Sequence, residues 1–319
     1  MTGDSAAGAD VGGSDVGDKL PGAGAGAGEG AGRSAIEHHY DVGRDFYRLW
    51  LDEWMIYSCA LWDAAEGTTL EQAQQAKLAW HADGAGAGPG ARILDIGCGW
   101  GGMLRHLLEV RGVGRAVGLT LSSDQAAVAS AVPGAEVRLE DWRAHEPDAA
   151  YDGIVSIGAF EHFARAGLST AERRQVYGRF FDRCASWLPA GGRLSLQTIA
   201  WEDSGPADTP TAAFFGEDIF PESGLPRLSD VVAGFEPWYR LVAFRSDGAH
   251  YERTLAHWQG RLEASRERAM ELVGRDTYRR YLRYLRVSRA MFDRRVSTLY
   301  RFVLERRPAP LQAPGRAPS

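Results

Sequence analysis

Residues 91–102 read "ARILDIGCGWGG", an apolar run that ends in a glycine-rich turn. The run reaches Asp95 and Ile96, and Gly97 and Gly99 follow at once. Glycine adopts positive φ and lets a ligand approach the backbone closely. "MLRHLLEV" comes next with the spacing of an amphipathic helix. The order strand, glycine turn, helix predicts a ligand site at the carboxyl end of a sheet strand, although such a turn alone also suits a plain tight connection.

The residues around the turn narrow the type of ligand. No Gly-Lys-Ser/Thr follows, so a phosphate-binding loop of the nucleoside-triphosphatase type is excluded. The next strand ends in "GLTLS", with Thr120 where a dinucleotide site carries an acid. The third strand ends in "LEDW", where Asp141 can accept a hydrogen bond from an adenine amino group beside Trp142. A solvated acid next to a core tryptophan is the equally weighted alternative for this pair.

The pattern outside this turn predicts the fold class. Strand-like and helix-like segments alternate from residue 91 to residue 200, which predicts an α/β fold with a mostly parallel, doubly wound sheet. Beyond residue 200 the alternation breaks, and the two segments that end at residue 307 are interpreted as helical, forming a cap over the active edge. The predicted units are a disordered Gly/Ala-rich leader (1–33), an N-terminal helical lid (34–90), a ligand-binding core (91–200), an acceptor-binding cap with C-terminal helices (201–307) and a disordered tail (308–319).

Composition limits the partners and the setting. The chain has 319 residues and a net charge of −6, which argues against nucleic acid as a partner because phosphate binding needs a basic surface. Its apolar runs are too short to span a bilayer, and the N-terminus lacks the pattern of a signal peptide. Three cysteines predict neither a disulfide framework nor a zinc site. A cytoplasmic location is the simplest expectation.

Several blocks together resemble one family, the cyclopropane-fatty-acid and mycolic-acid cyclopropane synthases. These belong to the class I S-adenosylmethionine (SAM) methyltransferases, whose fold is Rossmann-like. The matching blocks span about residues 36–307 in one order: "HHYDVGRDFYRLWLD", "YSCALW", "TLEQAQQAKL", "ILDIGCGWGG", "GLTLSSDQ", "IVSIGAFEHF", "FPESGLP", "HYERTL" and "YRRYLRYLRVSRAMFD". The resemblance implies SAM as cofactor and bicarbonate as a candidate second one.

The resemblance also implies which residues form the site. Residues expected to contact the cofactor are Tyr57, Ser58, Asp95, Gly97, Gly99, Thr120, Leu121, Gln125, Asp141, Trp142 and Ile157. Residues expected around the bicarbonate ion are Glu161, Cys59, Tyr251 and Gln197. Gln197 is a departure, because the family has a histidine there, and glutamine has no proton that titrates near neutral pH.

The implied chemistry explains the carboxylate in "SIGAFEHF", residues 156–163. An alkene that attacks the methyl group of SAM becomes a carbocation, and ring closure then needs a base. In the family that base is bicarbonate, which Glu161 would orient, while aromatic faces stabilise the cation. We expect His162 to point elsewhere as a structural residue.

Three hypotheses for the function stay open at this point. The first is C-methylation or cyclopropanation of an unsaturated, apolar acyl or acyl-like chain. The second, motivated by Gln197 and the divergent "WEDSGPADTPTAAFFGEDIF", is C- or N-methylation, or cyclopropane formation, on a small specialised metabolite. The third is a non-catalytic SAM-binding protein. The basic "RRYLRYLR" suits an acyl carrier or a membrane surface, but a solvated helix face is the preferred interpretation.

Overall fold

The computed structural model describes residues 42–63, 67–202 and 224–311, and within these ranges seven strands form one sheet. The strand order is β3-β2-β1-β4-β5-β7-β6. Strands β1 to β5 run parallel, whereas β7 is antiparallel to both β5 and β6. The strands are β1 (Arg92–Ile96), β2 (Arg115–Thr120), β3 (Ala135–Leu139), β4 (Gly153–Ile157), β5 (Arg193–Trp201), β6 (Tyr239–Ser246) and β7 (Ser297–Arg306).

Helices cover both faces of this sheet, which confirms the predicted doubly wound α/β fold. Along β1, Leu94 and Ile96 pack into the core that holds helix α5 (Thr170–Trp187). Ile93 packs into the core that holds helix α2 (Leu70–Gly84). Alternate strand residues face opposite sides, so both faces need cover. The helices are α1 (Arg44–Tyr47), α2 (Leu70–Gly84), α3 (Gly102–Arg105), α4 (Ser123–Ala129), α5 (Thr170–Trp187), α6 (Leu228–Phe235), α7 (Gly248–Ala264) and α8 (Arg266–Asp293).

The start of α2 is fixed by a capping box. The Thr69 hydroxyl accepts from the Gln72 N–H (3.3 Å), and the Gln72 side chain accepts from the Thr69 N–H (2.9 Å). Such reciprocal bonds satisfy two N–H groups that the first turn leaves unpaired. The cap matters for the site because α2 carries Lys77 and His81, both buried against the sheet.

The predicted helix up to residue 307 is wrong at its end, because the helix stops at Asp293. Ser297–Arg306 is strand β7, paired along its length with β5, and Tyr239–Ser246 adds β6 at the sheet edge. Most of β7 is buried on both faces, so its apolar residues do not alternate with polar ones. A short run without alternation fits either a buried helix or a buried strand, and the neighbouring helical pattern favoured the former.

Some expectations fall outside the described residues. These are the disorder of the leader (1–33), the acceptor segment at 203–223 and most of the tail beyond residue 311. Within the described ranges, no helix is both long enough and apolar enough to cross a membrane.

Candidate active site

A cavity, here called the turn cavity, lies at the carboxyl ends of the parallel strands. The order β2-β1-β4 makes this the point where the sheet reverses its winding, which is where such folds bind ligands. Every residue that the resemblance assigns to the cofactor lines this one cavity: Tyr57, Ser58, Asp95, Gly97, Gly99, Thr120, Leu121, Gln125, Asp141, Trp142 and Ile157. The structure therefore brings residues from five separate sequence blocks to one place.

The glycine turn adopts the backbone that its sequence predicts. Gly97 has φ +81° and Gly99 has φ +54°, both in the left-handed region. The N–H groups of Gly97 and Cys98 donate to the Leu119 carbonyl, each at 2.9 Å, which ties the turn to the neighbouring strand. A Cβ at position 97 would lie only 2.4 Å from the Ala159 Cβ. Glycine at 97 is thus required by the close packing of the turn against the segment after β4.

Polar groups beyond β2 form a fixed set. The Thr120 hydroxyl donates to Gln125 Oε1 at 3.0 Å and accepts from the Ser122 N–H at 3.2 Å. Ser122 in turn caps α4 by accepting from the Gln125 N–H (3.3 Å). Because the amide oxygen of Gln125 is occupied, its NH2 group is left to donate, and the side chain lines the turn cavity.

The third strand ends in an acid that is already paired. Asp141 accepts from the Arg143 backbone and from its guanidinium, both at 2.8 Å. The same guanidinium lies 5.0 Å from the ring centroid of the buried Trp142. Both side chains still line the turn cavity, so the geometry keeps an aromatic and an acceptor available there.

A buried lysine that the sequence reasoning missed holds the segment before the turn. Lys77 Nζ donates to Ser58 Oγ at 2.8 Å, and both side chains line the turn cavity. Burial lowers the pKa of Lys77, and the Arg301 charge adds to this, while Asp52 and Asp95 oppose it. Burial raises the pKa of Asp95, with Lys77 opposing. The capping box at Thr69 gives a helix signal for α2, but nothing in its spacing marks one lysine as buried.

A second cavity of about 360 Å³, here called the apolar cavity, adjoins the first. Strand β5 contributes Gln197, Ile199 and Trp201, which point the same way because side chains alternate along a strand. The rest of the lining is largely apolar or aromatic: Leu225, Tyr251, Leu255, Tyr284, Met291, Phe292 and Leu299. Four residues line both cavities, namely Tyr57, Ser58, Gly158 and His162. The two cavities therefore share a wall.

Glu161 reaches the apolar cavity from a short 3-10 turn after β4. Its Oε1 accepts from the Ile199 N–H at 2.7 Å. Its Oε2 is buried and accepts no hydrogen bond from the described residues, since the nearby Thr198 hydroxyl donates to the Ile199 carbonyl (3.0 Å). Burial raises the pKa of Glu161 to about 7, against the opposing bond from Ile199. A buried carboxyl with one unpartnered oxygen indicates a place for a polar ligand group.

Gln197 is held from behind by buried donors. Arg301 Nε donates to Gln197 Oε1 at 2.9 Å, and His81 Nε2 lies 3.4 Å from the same oxygen. Arg301 NH2 also donates to the carbonyls of Cys59 (3.2 Å) and Ala60 (3.0 Å). Cys59 itself does not line either cavity, unlike the other three residues expected around the bicarbonate ion. Burial raises the pKa of its thiol to about 11.

Of the remaining predicted residues, Tyr251 lies where expected and His162 does not. Tyr251 lines the apolar cavity, as expected. His162 does not point elsewhere, because it lines both cavities, and burial lowers its pKa to about 4. After the 3-10 turn over Phe160–His162, Glu161 lines the apolar cavity and His162 lines both cavities.

Comparison with known proteins identifies the family. The model of the family described as mycolic acid cyclopropane synthetase matches residues 30–302. The chain belongs to this family. It is 36% identical over 289 residues to cyclopropane mycolic acid synthase 2 of Mycobacterium tuberculosis, an alignment that covers 85% of this chain and 93% of that protein. The resemblance predicted from the sequence blocks is confirmed.

Solved structures of the mycolic acid cyclopropane synthetase family share the whole fold. The cyclopropane synthase MmaA2 from Mycobacterium tuberculosis superposes with a TM-score of 0.77 at 31% identity, covering 86% of this chain and 99% of that one. CmaA1, described as complexed with SAH and CTAB, gives 0.75 at 30% identity, with the same coverage. The chain is therefore a SAM-dependent methyltransferase with a class I fold.

Proposed function

We propose that this enzyme transfers the methyl group of SAM to an alkene carbon of a long acyl or acyl-like chain and closes a cyclopropane ring. The observation that carries this is the wall that the turn cavity shares with a larger, mostly apolar cavity. Its relatives are named for cyclopropane mycolic acid synthesis, and one neighbour was solved with SAH and CTAB. No comparable observation favours a small polar acceptor.

The residues of the turn cavity fit SAM. Gly97 and Gly99 leave room for a ligand against the backbone. The Thr120–Gln125 pair keeps amide N–H donors for ribose oxygens, and Trp142 offers a ring beside an adenine. The Lys77–Ser58 hydrogen bond would hold the segment around Ser58 against the methionine part of SAM. We propose these roles for the residues that line the cavity.

Bound SAM supplies an electrophilic methyl group on a positively charged sulfur. The chain contributes position and environment. The apolar cavity would orient the alkene toward the shared wall and exclude water from the reaction. Tyr57 donates to the Tyr284 hydroxyl (2.9 Å), which fixes both rings where a cation would form. Aromatic faces stabilise a nearby cation by about 0.5–2 kcal/mol each.

Ring closure requires that a proton leave the transferred methyl group, so that the C–H electron pair forms the third ring bond. The part of the apolar cavity that Glu161 and Gln197 line suits bicarbonate as the acceptor of that proton. Glu161 Oε2 is unpartnered, and its pKa of about 7 lets it donate or accept a hydrogen bond near neutral pH. Gln197 adds amide N–H groups. We propose that these two residues bind and orient the ion.

The acceptor would reach the enzyme on an acyl carrier or from a membrane surface. In the basic "RRYLRYLR" (residues 279–286), helix α8 exposes Arg279, and Arg286 is already paired with Glu263 of α7 (2.7 Å). This pair reduces the charge that the basic patch offers to an acidic partner. A fall in turnover with added salt for a carrier-bound acceptor, but not for the free chain, supports a carrier.

SAM that carries a CD3 group tests the proposal. The purified enzyme is incubated with it and an unsaturated acyl chain, and the product is analysed by mass spectrometry. Ring closure leaves CD2 in the product because one deuteron departs, whereas simple methylation without loss from that group keeps CD3. An acyl chain that gains neither, under conditions in which SAM binds, contradicts the proposed acceptor.

A further inference from the structure

Arg301 is a fully buried arginine on β7, and one of its donors binds Gln197, which lines the apolar cavity. Besides Gln197, it binds the Cys59 and Ala60 carbonyls and forms an ion pair with Asp247. It thereby joins β7, β5, the start of α7 and the segment before α2. A guanidinium with so many directed donors fixes the orientation of each acceptor.

The orientation of Gln197 follows from the chemistry of its neighbours. Arginine only donates, so the atom it contacts must be the amide oxygen. His81 reinforces this: its Nδ1 lies 2.8 Å from the Ser195 hydroxyl, which leaves Nε2 to donate toward the same oxygen. The amide NH2 is therefore turned away from both donors. Among the described residues none accepts from it, and Gln197 lines the apolar cavity.

Behind Gln197 lies a series of ion pairs. Asp247 is shared between Arg301 and Arg245, whose guanidinium donates to it at 2.9 and 3.1 Å. Arg245 also pairs with Asp63 at 2.8 Å, so two carboxylates face two guanidinium groups. Lys77 adds a positive charge when protonated, and burial together with Arg301 keeps His81 neutral by lowering its pKa.

We propose that Arg301 is the positioning residue of the oxyanion site: it binds the Gln197 side-chain oxygen and so turns the Gln197 NH2 into the apolar cavity, with the guanidinium group behind it. Small trigonal oxyanions such as bicarbonate match this wall, because they accept hydrogen bonds and carry negative charge. The inference rests on the proposed function. It adds that the Arg301 guanidinium acts on the ion through the Gln197 amide, at the position where the family has a histidine.

The test compares the bicarbonate activation constant of several variants at fixed SAM and acceptor concentrations. Arg301→Lys keeps the charge but cannot hold all its acceptors, and Gln197→Met removes the amide. Each should raise the constant about ten-fold or more, the effect of one charge-assisted hydrogen bond. The double variant should be no worse than either single one, because Arg301 acts through Gln197. Arg245→Lys, which alters the same Asp247 without touching Gln197, is the matched control and should change little.

Several outcomes overturn the inference. An unchanged bicarbonate activation constant in folded Arg301→Lys would refute it. So would a double variant whose increase in this constant equals the product of the two single increases. If Arg301→Lys does not fold, Gln197→Glu decides, because it exchanges only NH2 for oxygen; an unchanged constant there refutes the proposal. Binding of 13C-bicarbonate, followed by NMR line broadening, is measured in parallel without turnover. Wild type that binds the ion but modifies no acyl chain refutes the proposed function alone, and wild type that modifies the chain without binding the ion refutes this inference alone.

Discussion

Replacing Glu161 by glutamine should lower activity and raise stability at the same time. The amide keeps an acceptor for the Ile199 N–H, which Glu161 Oε1 binds at 2.7 Å, so the local backbone should stay in place. What disappears is a group that can hold or release a proton beside the bicarbonate. Acid–base assistance of this kind is typically worth two to four orders of magnitude in rate, about 3–5 kcal/mol.

The stability effect follows from the direction of the pKa change. Burial raises the pKa of Glu161 from its ordinary 4.5 to about 7. Below about pH 4.5 the group is protonated in both states and costs nothing. As the pH rises through 7, the unfolded chain has released its proton while the folded protein must ionise a buried group. The difference corresponds to about 3 kcal/mol above pH 7, and a neutral glutamine removes it.

Two measurements on the same protein check this reasoning. Thermal unfolding of wild type and Glu161→Gln should coincide near pH 4 and diverge toward pH 8, with the variant more stable by several degrees. Turnover at saturating SAM and bicarbonate should fall by at least about a hundred-fold. Equal turnover would show that Glu161 takes no part in the mechanism. A stability difference that does not change with pH would show that burial does not raise the pKa of Glu161.

Three further substitutions test other parts of the site. Gly97→Ala should lower the free energy of unfolding by roughly 3 kcal/mol, because it adds left-handed strain and a contact of 2.4 Å, whereas Gly99→Ala, with open space around its Cβ, should cost only about 1 kcal/mol in urea unfolding. Lys77→Met and Ser58→Ala should each weaken SAM binding about ten-fold, measured by calorimetry. An unchanged Kd would show that the 2.8 Å bond between the two side chains does not position Ser58 for the cofactor. Met291→Trp should narrow the apolar cavity and lower kcat/KM for long acceptors about ten-fold or more with SAM affinity unchanged; equal loss of SAM binding would contradict two separate cavities.

Much of the cofactor side could be predicted from the sequence because its signals are local. The glycine turn and the ends of β2 and β3 each carry their meaning within a few residues, and the parallel sheet brings strand ends together. The family blocks then supplied Tyr57 and Ser58, which lie far from the turn in the chain. Every predicted cofactor residue lines one cavity for these reasons.

The buried side of the site could not be predicted because its signals are long-range. Arg301 lies 104 residues from Gln197 and 242 from Cys59, in a stretch interpreted as helix. Only the antiparallel pairing of β7 with β5 places its side chain at the wall. Lys77 likewise occupies an ordinary helix position, and its burial depends on how α2 packs. An arginine or lysine in a sequence is first expected in solvent, and only tertiary structure changes that.

The acyl chains of a living host test the proposed function most directly. The enzyme is expressed in a bacterium that lacks its own cyclopropane synthase, and the total acyl chains are analysed by mass spectrometry beside cells that express Glu161→Gln. We predict acyl chains heavier by one CH2 in the first strain and almost no such chains in the second. Unmodified chains in both, from cells whose purified enzyme binds SAM, would contradict an acyl-chain alkene as the methyl acceptor.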